Sequence, residues 1–195
     1  MQSLFLGSHP AIDFLNSVFA PDGEPIETIG DGVAYVEWLV AAGLLEEADA
    51  AKLSRRFGPK ALDAAAAEAR KFREWARKWL ADWRVAPRAD YSDRIEILNR
   101  LLAREVRKRE LVANRSGIAL REVPRFETAQ VLLALPAAQL ALLVAHEDAA
   151  LLRQCAGDSC TLWFLDRTKS HRRLFCSAAA CGNRAKVAAF RERQR

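Results

Sequence analysis

Long apolar runs are missing from this sequence, because none reaches the roughly 18 residues that a helix needs to cross a bilayer. The N-terminal stretch MQSLFLGSHPAIDFLN lacks the basic segment of a signal peptide, and His9 and Asp13 interrupt its apolar content. We therefore expect a cytoplasmic protein with no membrane partner. Structural disulfides are rare in that reducing compartment, so cysteines there point first to metal or redox chemistry.

Motifs that carry catalysis are missing as well. The sequence has no glycine-rich phosphate loop, no nucleophile elbow and no second His/Asp cluster that would support hydrolysis. This predicts that the chain is not an enzyme. A small-molecule enzyme in the N-terminal region is kept as the least favoured alternative.

Cysteine is absent from the first 154 residues, and all four cysteines lie between positions 155 and 181. The positive charge is concentrated in the same part of the chain. Residues 153–195 hold 10 Lys and Arg against 3 Asp and Glu, whereas residues 1–152 hold 20 against 22. A formal charge of +7 in the tail and −2 elsewhere predicts an anionic partner for the tail alone.

The hydrophobic content of 51% is enough for a conventional core. Helical spacing of apolar residues predicts a helix ending near Gly43, another over 61–83, a third over 90–110 and a buried one over 137–145 after Pro136. The third would turn four apolar side chains inward: Ile95, Leu98, Leu101 and Leu102.

The sequence LVANRSGIALREV interrupts this helical pattern. Two short alternating runs surround Asn114-Arg115-Ser116-Gly117, which predicts a β-hairpin. Charge and cysteine content both change near residue 150. We therefore predict an α+β protein: a mainly α-helical N-terminal domain with a small β-hairpin (1–150), then a treble-clef-like zinc finger of β-hairpin and helix (151–195).

The four cysteines form two equally spaced pairs, Cys155-x4-Cys160 and Cys176-x4-Cys181. Zn²⁺ takes four thiolates at tetrahedral corners, and two close pairs joined by a hairpin supply them. Between the pairs, LWFL is expected as a strand and RLF as its return strand. This pattern favours one structural zinc ion per chain, because four cysteines leave no open position for water. Two disulfides or four independent thiols are the alternatives.

A basic helix is expected directly after Cys181. At 100° per residue, Asn183, Val187, Phe190 and Gln194 share one side, which we assign to the core of the finger with Trp163, Phe164, Leu174 and Phe175. Basic residues occupy the other sides and suit a phosphate backbone or a groove edge. The expected nucleic-acid contacts, from the helix and the hairpin, are Lys169, Arg172, Arg173, Arg184, Lys186, Arg191 and Arg195.

The motifs CAGDSCTLWFLD and HRRLFCSAAACGNRAKVAAF resemble the CGNR-type zinc finger, whose name is the tetrapeptide starting at Cys181. This finger usually follows an N-terminal ABATE domain, and AIDFLNSV resembles the opening signature of that domain. The resemblance implies a stress-induced transcription regulator that binds DNA, with Cys155, Cys160, Cys176 and Cys181 as zinc ligands. Phe175 and Ala178 depart from the pattern, which commonly has Trp and Met there.

Two features of the N-terminal region could bind a ligand. His9, Asp13 and Asn16 lie close in sequence and could line a polar pocket, although local backbone capping by Asp13 and Asn16 is the favoured interpretation. Phe72, Trp75, Trp79 and Trp83 recur at helical spacing, which favours a core stripe over a ligand pocket or a dimer face.

The leading hypothesis is therefore a zinc-dependent DNA-binding transcription regulator whose N-terminal domain senses a signal or dimerises. An RNA-binding or protein-binding zinc module is the alternative. A homodimer and a small-molecule effector of undefined chemistry remain open.

Overall fold

The computed structural model describes residues 4–20, 24–104 and 107–194. Seven α-helices and three antiparallel strand pairs are found in these ranges. The helices are α1 (Pro10–Leu15), α2 (Gly32–Ala41), α3 (Glu47–Arg56), α4 (Pro59–Val85), α5 (Ser92–Leu102), α6 (Ala134–His146) and α7 (Asn183–Arg193). The strands are β1 (Val18–Phe19), β2 (Ile26–Glu27), β3 (Arg107–Asn114), β4 (Gly117–Pro124), β5 (Leu152–Gln154) and β6 (Trp163–Leu165).

The long helix α4 is the centre of the fold. Pro59 starts it at a position where no backbone N–H is needed, and an alanine-rich first half favours helix formation. Its apolar side contacts α1, α2 and a short 3₁₀ helix at Ala129–Leu133. The predicted helix over 61–83 is confirmed, and so is the interpretation of its aromatic stripe. Trp79 is fully buried, and Phe72 and Trp83 are nearly so.

Helix α5 is shorter than predicted. It ends at Leu102, so the expected extent of 90–110 is wrong, and the chain from Arg107 is already a strand. Only part of its predicted inward face is buried: Leu98 and Leu101 enter the core, whereas Ile95 and Leu102 are exposed. The helix lies over the edge of the core against α6, so only a narrow stripe of it is covered.

The predicted hairpin is confirmed as β3 and β4, which pair in full register from Arg107–Pro124 to Asn114–Gly117. Gly117 adopts a φ of 127°, a conformation that favours glycine. The hairpin projects from the fold. Leu111 and Leu120 face each other across it, and both are largely exposed.

The segment Ala129–His146 corrects the expectation that no apolar segment is long enough to cross a bilayer. By length and composition these 18 residues, with a mean hydropathy of 1.7, could cross a membrane. Half of the segment is buried inside the fold. Leu132, Ala137, Leu140 and Leu143 enter the main core, and α6 packs on α1 and α5. Packing inside the protein therefore accounts for its apolar composition.

The strand pairing near the cysteines also differs from the prediction. The LWFL segment forms β6 as expected, but its partner is β5, which precedes Cys155, and not the RLF segment. The RLF segment is joined only by single hydrogen bonds, such as that from Ala156 N to Leu174 O. The pairing with β5 brings Trp163 and Leu165 into the core of the N-terminal helices.

Candidate metal centre and nucleic-acid interface

The four cysteine sulfurs converge on one point. Their Sγ atoms all lie within 4.8 Å of one another. The distance from Cys176 Sγ is 3.8 Å to Cys160 Sγ and 3.6 Å to Cys181 Sγ. Tetrahedral zinc with bonds of about 2.3 Å requires sulfurs about 3.8 Å apart, whereas a disulfide requires about 2.05 Å. All four are free cysteines, so the alternative of two disulfides is wrong for this structure.

The first pair is carried by the connection between β5 and β6. Cys160 N donates to Gly157 O at 2.9 Å, which closes a tight turn between the two cysteines. Gly157 also lies against the cluster, because a Cβ placed on it would come within 3.4 Å of Cys181 Sγ. Cys155 N donates to Leu162 O, so the hairpin continues to the first ligand.

The second pair lies at the start of α7. Ser177 caps the turn Ala178–Gly182, with its Oγ accepting from Ala180 N, and this turn runs directly into α7. Cys176 therefore precedes the turn and Cys181 lies inside it. The positive end of the helix dipole faces the sulfurs, which favours thiolates there.

N–H groups donate to three of the sulfurs, and that of Leu162 supports Cys160. Cys176 N donates to Cys155 Sγ at 3.3 Å, and Arg184 Nη2 donates to Cys181 Sγ at 3.2 Å. Burial raises the pKa of the Cys160 thiol to about 11 and also raises the pKa of the Cys176 thiol. Burial acts the same way on Cys181, but the hydrogen bonds from Arg184 and from the other cysteines together outweigh it and lower the pKa of that thiol. The contact with Arg184 therefore favours the thiolate form of Cys181.

These features fit one structural zinc ion. The donors are four sulfurs at tetrahedral spacing, three of the four cysteines are buried, and hydrogen bonds support the charge of the ligands. Four cysteines complete the shell, so the ion stabilises the fold of the tail. His171 lies outside the cluster: it is exposed, and its Nδ1 is 3.1 Å from Asp166 O.

The sequence reasoning did not assign a role to Asp166. This residue is fully buried, and its carboxylate accepts from Thr168 N, Thr168 Oγ1 and Arg173 N. Burial would raise its pKa, but these hydrogen bonds outweigh burial and lower it. Asp166 therefore fixes the loop that leads to Cys176. The charged residue directly after the apolar run WFL was the signal that could have revealed it.

Arg173 has a structural position that was also missed. Its guanidinium lies 4.2 Å from the ring centroid of Phe164 and donates to Phe175 O and Cys176 O. These contacts hold the backbone beside a zinc ligand. Of the predicted nucleic-acid contacts, Arg173 is consequently turned toward the metal centre.

Helix α7 is turned the opposite way from the prediction. Its inner side consists of Ala185, Ala188 and Ala189, which line grooves beside the cysteine loops. Val187 and Phe190, assigned to the core with Asn183 and Gln194, are exposed on the outer side. Of these three alanines Ala185 is partly buried, whereas Ala188 and Ala189 are exposed in the grooves. Leu174, also assigned to the core, is exposed too.

The actual small core of the finger draws on the N-terminal region. It contains three of the cysteines, Leu162, Phe164 and, from β1, Phe19. Trp163, assigned to this core, points instead into the main core.

The remaining basic residues surround the outer side of α7. At 100° per residue, Arg184 and Arg191 lie along one edge of this outer side, and Lys186 and Arg193 lie along its other edge. Lys169 and Arg172 are exposed on the loop before Cys176. Arg195 lies outside the described residues.

His9, Asp13 and Asn16 each make a hydrogen bond to the backbone. His9 Nδ1 accepts from Ala11 N and caps α1, and Asp13 Oδ1 accepts from Gly7 N at 2.8 Å. Gly7 is needed for this turn, because a Cβ there would lie 2.7 Å from Ile12 Cβ. These contacts support the interpretation that the polar residues of AIDFLN hold local backbone.

Asn16, at the C-terminal end of α1, also binds the backbone of strand β6. Its Nδ2 donates to Trp163 O at 2.8 Å, and its Oδ1 accepts from Trp163 N at 2.9 Å. Both bonds are buried, and they join positions 147 residues apart. The N-terminal signature therefore holds the strand that leads out of the first cysteine pair.

The geometry defines a zinc-finger protein. Residues 152–194 match the family model of the CGNR zinc finger. Residues 8–154 match the ABATE family, described as "Putative stress-induced transcription regulator". This match covers most of the chain, so the protein belongs to the ABATE family and carries a C-terminal CGNR zinc finger. Both descriptions name a regulator or a zinc finger and neither names an enzymatic activity. The chain has no match among curated proteins.

Proposed function

We propose that the protein is a cytoplasmic transcription regulator that binds duplex DNA through its zinc finger. Residues 151–195 would make the DNA contact, and residues 1–150 would sense a signal or form a homodimer. The observation that carries the proposal is the outer side of α7. It is exposed along its whole length and has basic side chains on both flanks.

This arrangement suits the major groove. The major groove of B-form DNA is wide enough to admit one α-helix, and phosphates line both of its edges. Arg191 on one flank and Lys186 and Arg193 on the other can reach opposite walls, while Asn183 and Val187 face the base edges. An asparagine amide can pair with adenine, and a valine can contact the thymine methyl group.

Arg173 and Arg184 have a different part in this proposal. Arg173 donates to backbone carbonyls beside Cys176, and Arg184 donates to Cys181 Sγ. They position the recognition surface relative to the zinc ion. The phosphate contacts are assigned to Lys169, Arg172, Lys186, Arg191 and Arg193.

The test is binding of a mixed-sequence DNA duplex by the zinc-loaded protein over a range of salt concentrations. We expect Lys186→Glu with Arg191→Glu to weaken binding at least tenfold and to reduce the salt dependence, because phosphate contacts release counterions. Lys71→Glu, on the exposed side of α4, is the control and should bind normally. Zinc content is measured for every variant.

Unchanged affinity of the double variant at normal zinc content would refute the proposal. Tighter binding of a structured RNA than of the duplex, with the same dependence on Lys186 and Arg191, would replace DNA by RNA as the partner. Binding that does not depend on salt would point to a protein partner.

A further inference from the structure

A cavity lies where the N-terminal helices meet the zinc finger. Its volume is about 480 Å³, within the range of about 300–1,000 Å³ typical of small-molecule sites. Its walls come from β1, from the residue before β2, from α4 and from the β5–β6 hairpin. The lining residues are Val18, Phe19, Ala20, Pro25, Arg77, Lys78, Ala81, Gln154, Thr161 and Trp163.

The cavity is mainly apolar. Phe19, Pro25, Ala81 and Trp163 are among its lining residues, and their two aromatic rings can hold a flat or aliphatic body. Such walls gain free energy by removing an apolar ligand from water. Water and inorganic ions gain no such free energy from an apolar wall, so we expect an organic ligand.

Two ionisable side chains, Arg77 and Lys78, occur among the described residues that line the cavity, and both are cationic. Arg77 is held in place, because it donates to Leu15 O and pairs with Glu74 at 3.3 Å. Lys78 is exposed and can move toward a ligand.

The cavity also connects the two cores of the protein. Phe19 belongs to the small core with Cys155 and Cys176, whereas Trp163 belongs to the main core. Thr161, on the hairpin, accepts from Ala20 N at 3.1 Å beside the cavity. A ligand between these residues therefore contacts the zinc finger and the helical region at the same time.

We propose that this cavity binds a small organic acid, a carboxylate with an apolar aliphatic or aromatic body. The carboxylate pairs with Lys78 and Arg77, and the body lies between Phe19 and Trp163. The ligand acts as an effector that changes the affinity of the finger for DNA; this second part depends on the function proposed above, whereas the binding itself does not.

Binding is tested by calorimetric titration of the zinc-loaded full chain with octanoate and phenylacetate. Octanamide and phenylacetamide, neutral molecules of nearly the same shape, are the ligand controls. We expect one saturable site per chain for at least one acid, and weaker binding of its amide. Absence of saturable binding by both acids at millimolar concentration overturns the proposal, and so does equal affinity for acid and amide.

Two variants locate the site. Lys78→Ala should weaken acid binding about fivefold, equivalent to about 1 kcal/mol for one partly exposed ion pair. Ala81→Phe should abolish binding by filling the cavity. Lys71→Ala, an exposed lysine two turns away on α4, should bind as the parent does. Thermal unfolding of each variant shows that it is folded. Undiminished binding by Ala81→Phe would place the acid elsewhere and refute this site.

The effector role is read separately, from DNA binding with and without the bound acid. A change in affinity that Ala81→Phe removes supports it. An unchanged affinity refutes the effector role and leaves the binding site standing. If the protein binds no duplex at all, the proposed function fails, while the calorimetric result on the cavity stands by itself.

Discussion

Replacing Asn16 by alanine tests the connection between the N-terminal signature and the zinc finger. Asn16 is buried, and its side chain makes two hydrogen bonds of 2.8 and 2.9 Å with the backbone of Trp163. Alanine removes both. The Trp163 N–H and C=O are then left buried without these partners, because the site lies between α1 and β6.

The expected loss of stability comes from the two backbone groups of Trp163 that lose their hydrogen-bond partners. Each buried polar group that loses its partner costs about 1–3 kcal/mol, so the free energy of unfolding should fall by about 2–6 kcal/mol. That is a large part of the about 5–15 kcal/mol that stabilises a typical protein. Asn16→Asp should be at least as destabilising, since a carboxylate cannot donate to Trp163 O and would be buried facing it.

Urea denaturation followed by circular dichroism measures the change, with zinc content determined for each sample. Asn99→Ala on the exposed side of α5 is the matched control and should change stability by less than about 0.5 kcal/mol. An Asn16→Ala protein as stable as the parent would show that the two hydrogen bonds contribute nothing, and the reasoning would be wrong.

Three further outcomes are expected. Chelation of zinc should remove amide protection from 167–194 in hydrogen-exchange measurements but leave β5 and β6 protected, since these strands pack on the main core; equal loss in both parts would contradict this. Burial raises the pKa of Asp13 from 3.8 to about 6, so the folded state holds this proton more tightly than the unfolded chain and stability falls as pH rises from 4 to 6. Asp13→Asn should therefore gain up to about 3 kcal/mol over the parent between pH 4 and pH 7 in denaturation experiments, and a parallel pH dependence of the two proteins would refute it. Leu111→Ser with Leu120→Ser should cost less than about 1 kcal/mol in thermal unfolding, because both side chains are largely exposed; a loss above about 2 kcal/mol would show that a second copy covers this face in solution.

Local patterns predicted much of this molecule. The aromatic stripe of α4 follows helical spacing, and one buried side is the simplest arrangement for it. The four cysteines are close in sequence, so their meeting at one metal depends on short loops only. The β3–β4 hairpin needed nothing beyond its turn residues.

The end of α5 and the length of the apolar segment 129–146 were misjudged locally, whereas the errors around the zinc finger involve contacts between separate segments. The RLF segment has strand-like composition, but β6 pairs with β5 because Asn16 and the main core hold it there. The apolar residues Val187 and Phe190 suggested the wrong inner side of α7, whose alanines instead line the grooves beside the cysteine loops. The burial of Asp166 and the contacts of Arg173 with Phe164 and Cys176 depend on the folded loop around them, which no spacing rule describes.

The pairing of Asn16 with Trp163 has a consequence for how such proteins can be recombined. A zinc finger transplanted from another protein would place its own strand at the position of β6. The chimera would fold only if that strand's backbone formed the hydrogen bonds with Asn16 and its side chain at the position of Trp163 fitted the helical core. In this chain the opening signature and the cysteine segment thus form a matched pair. Exchange between relatives should succeed when both are moved together and fail when the finger is moved alone.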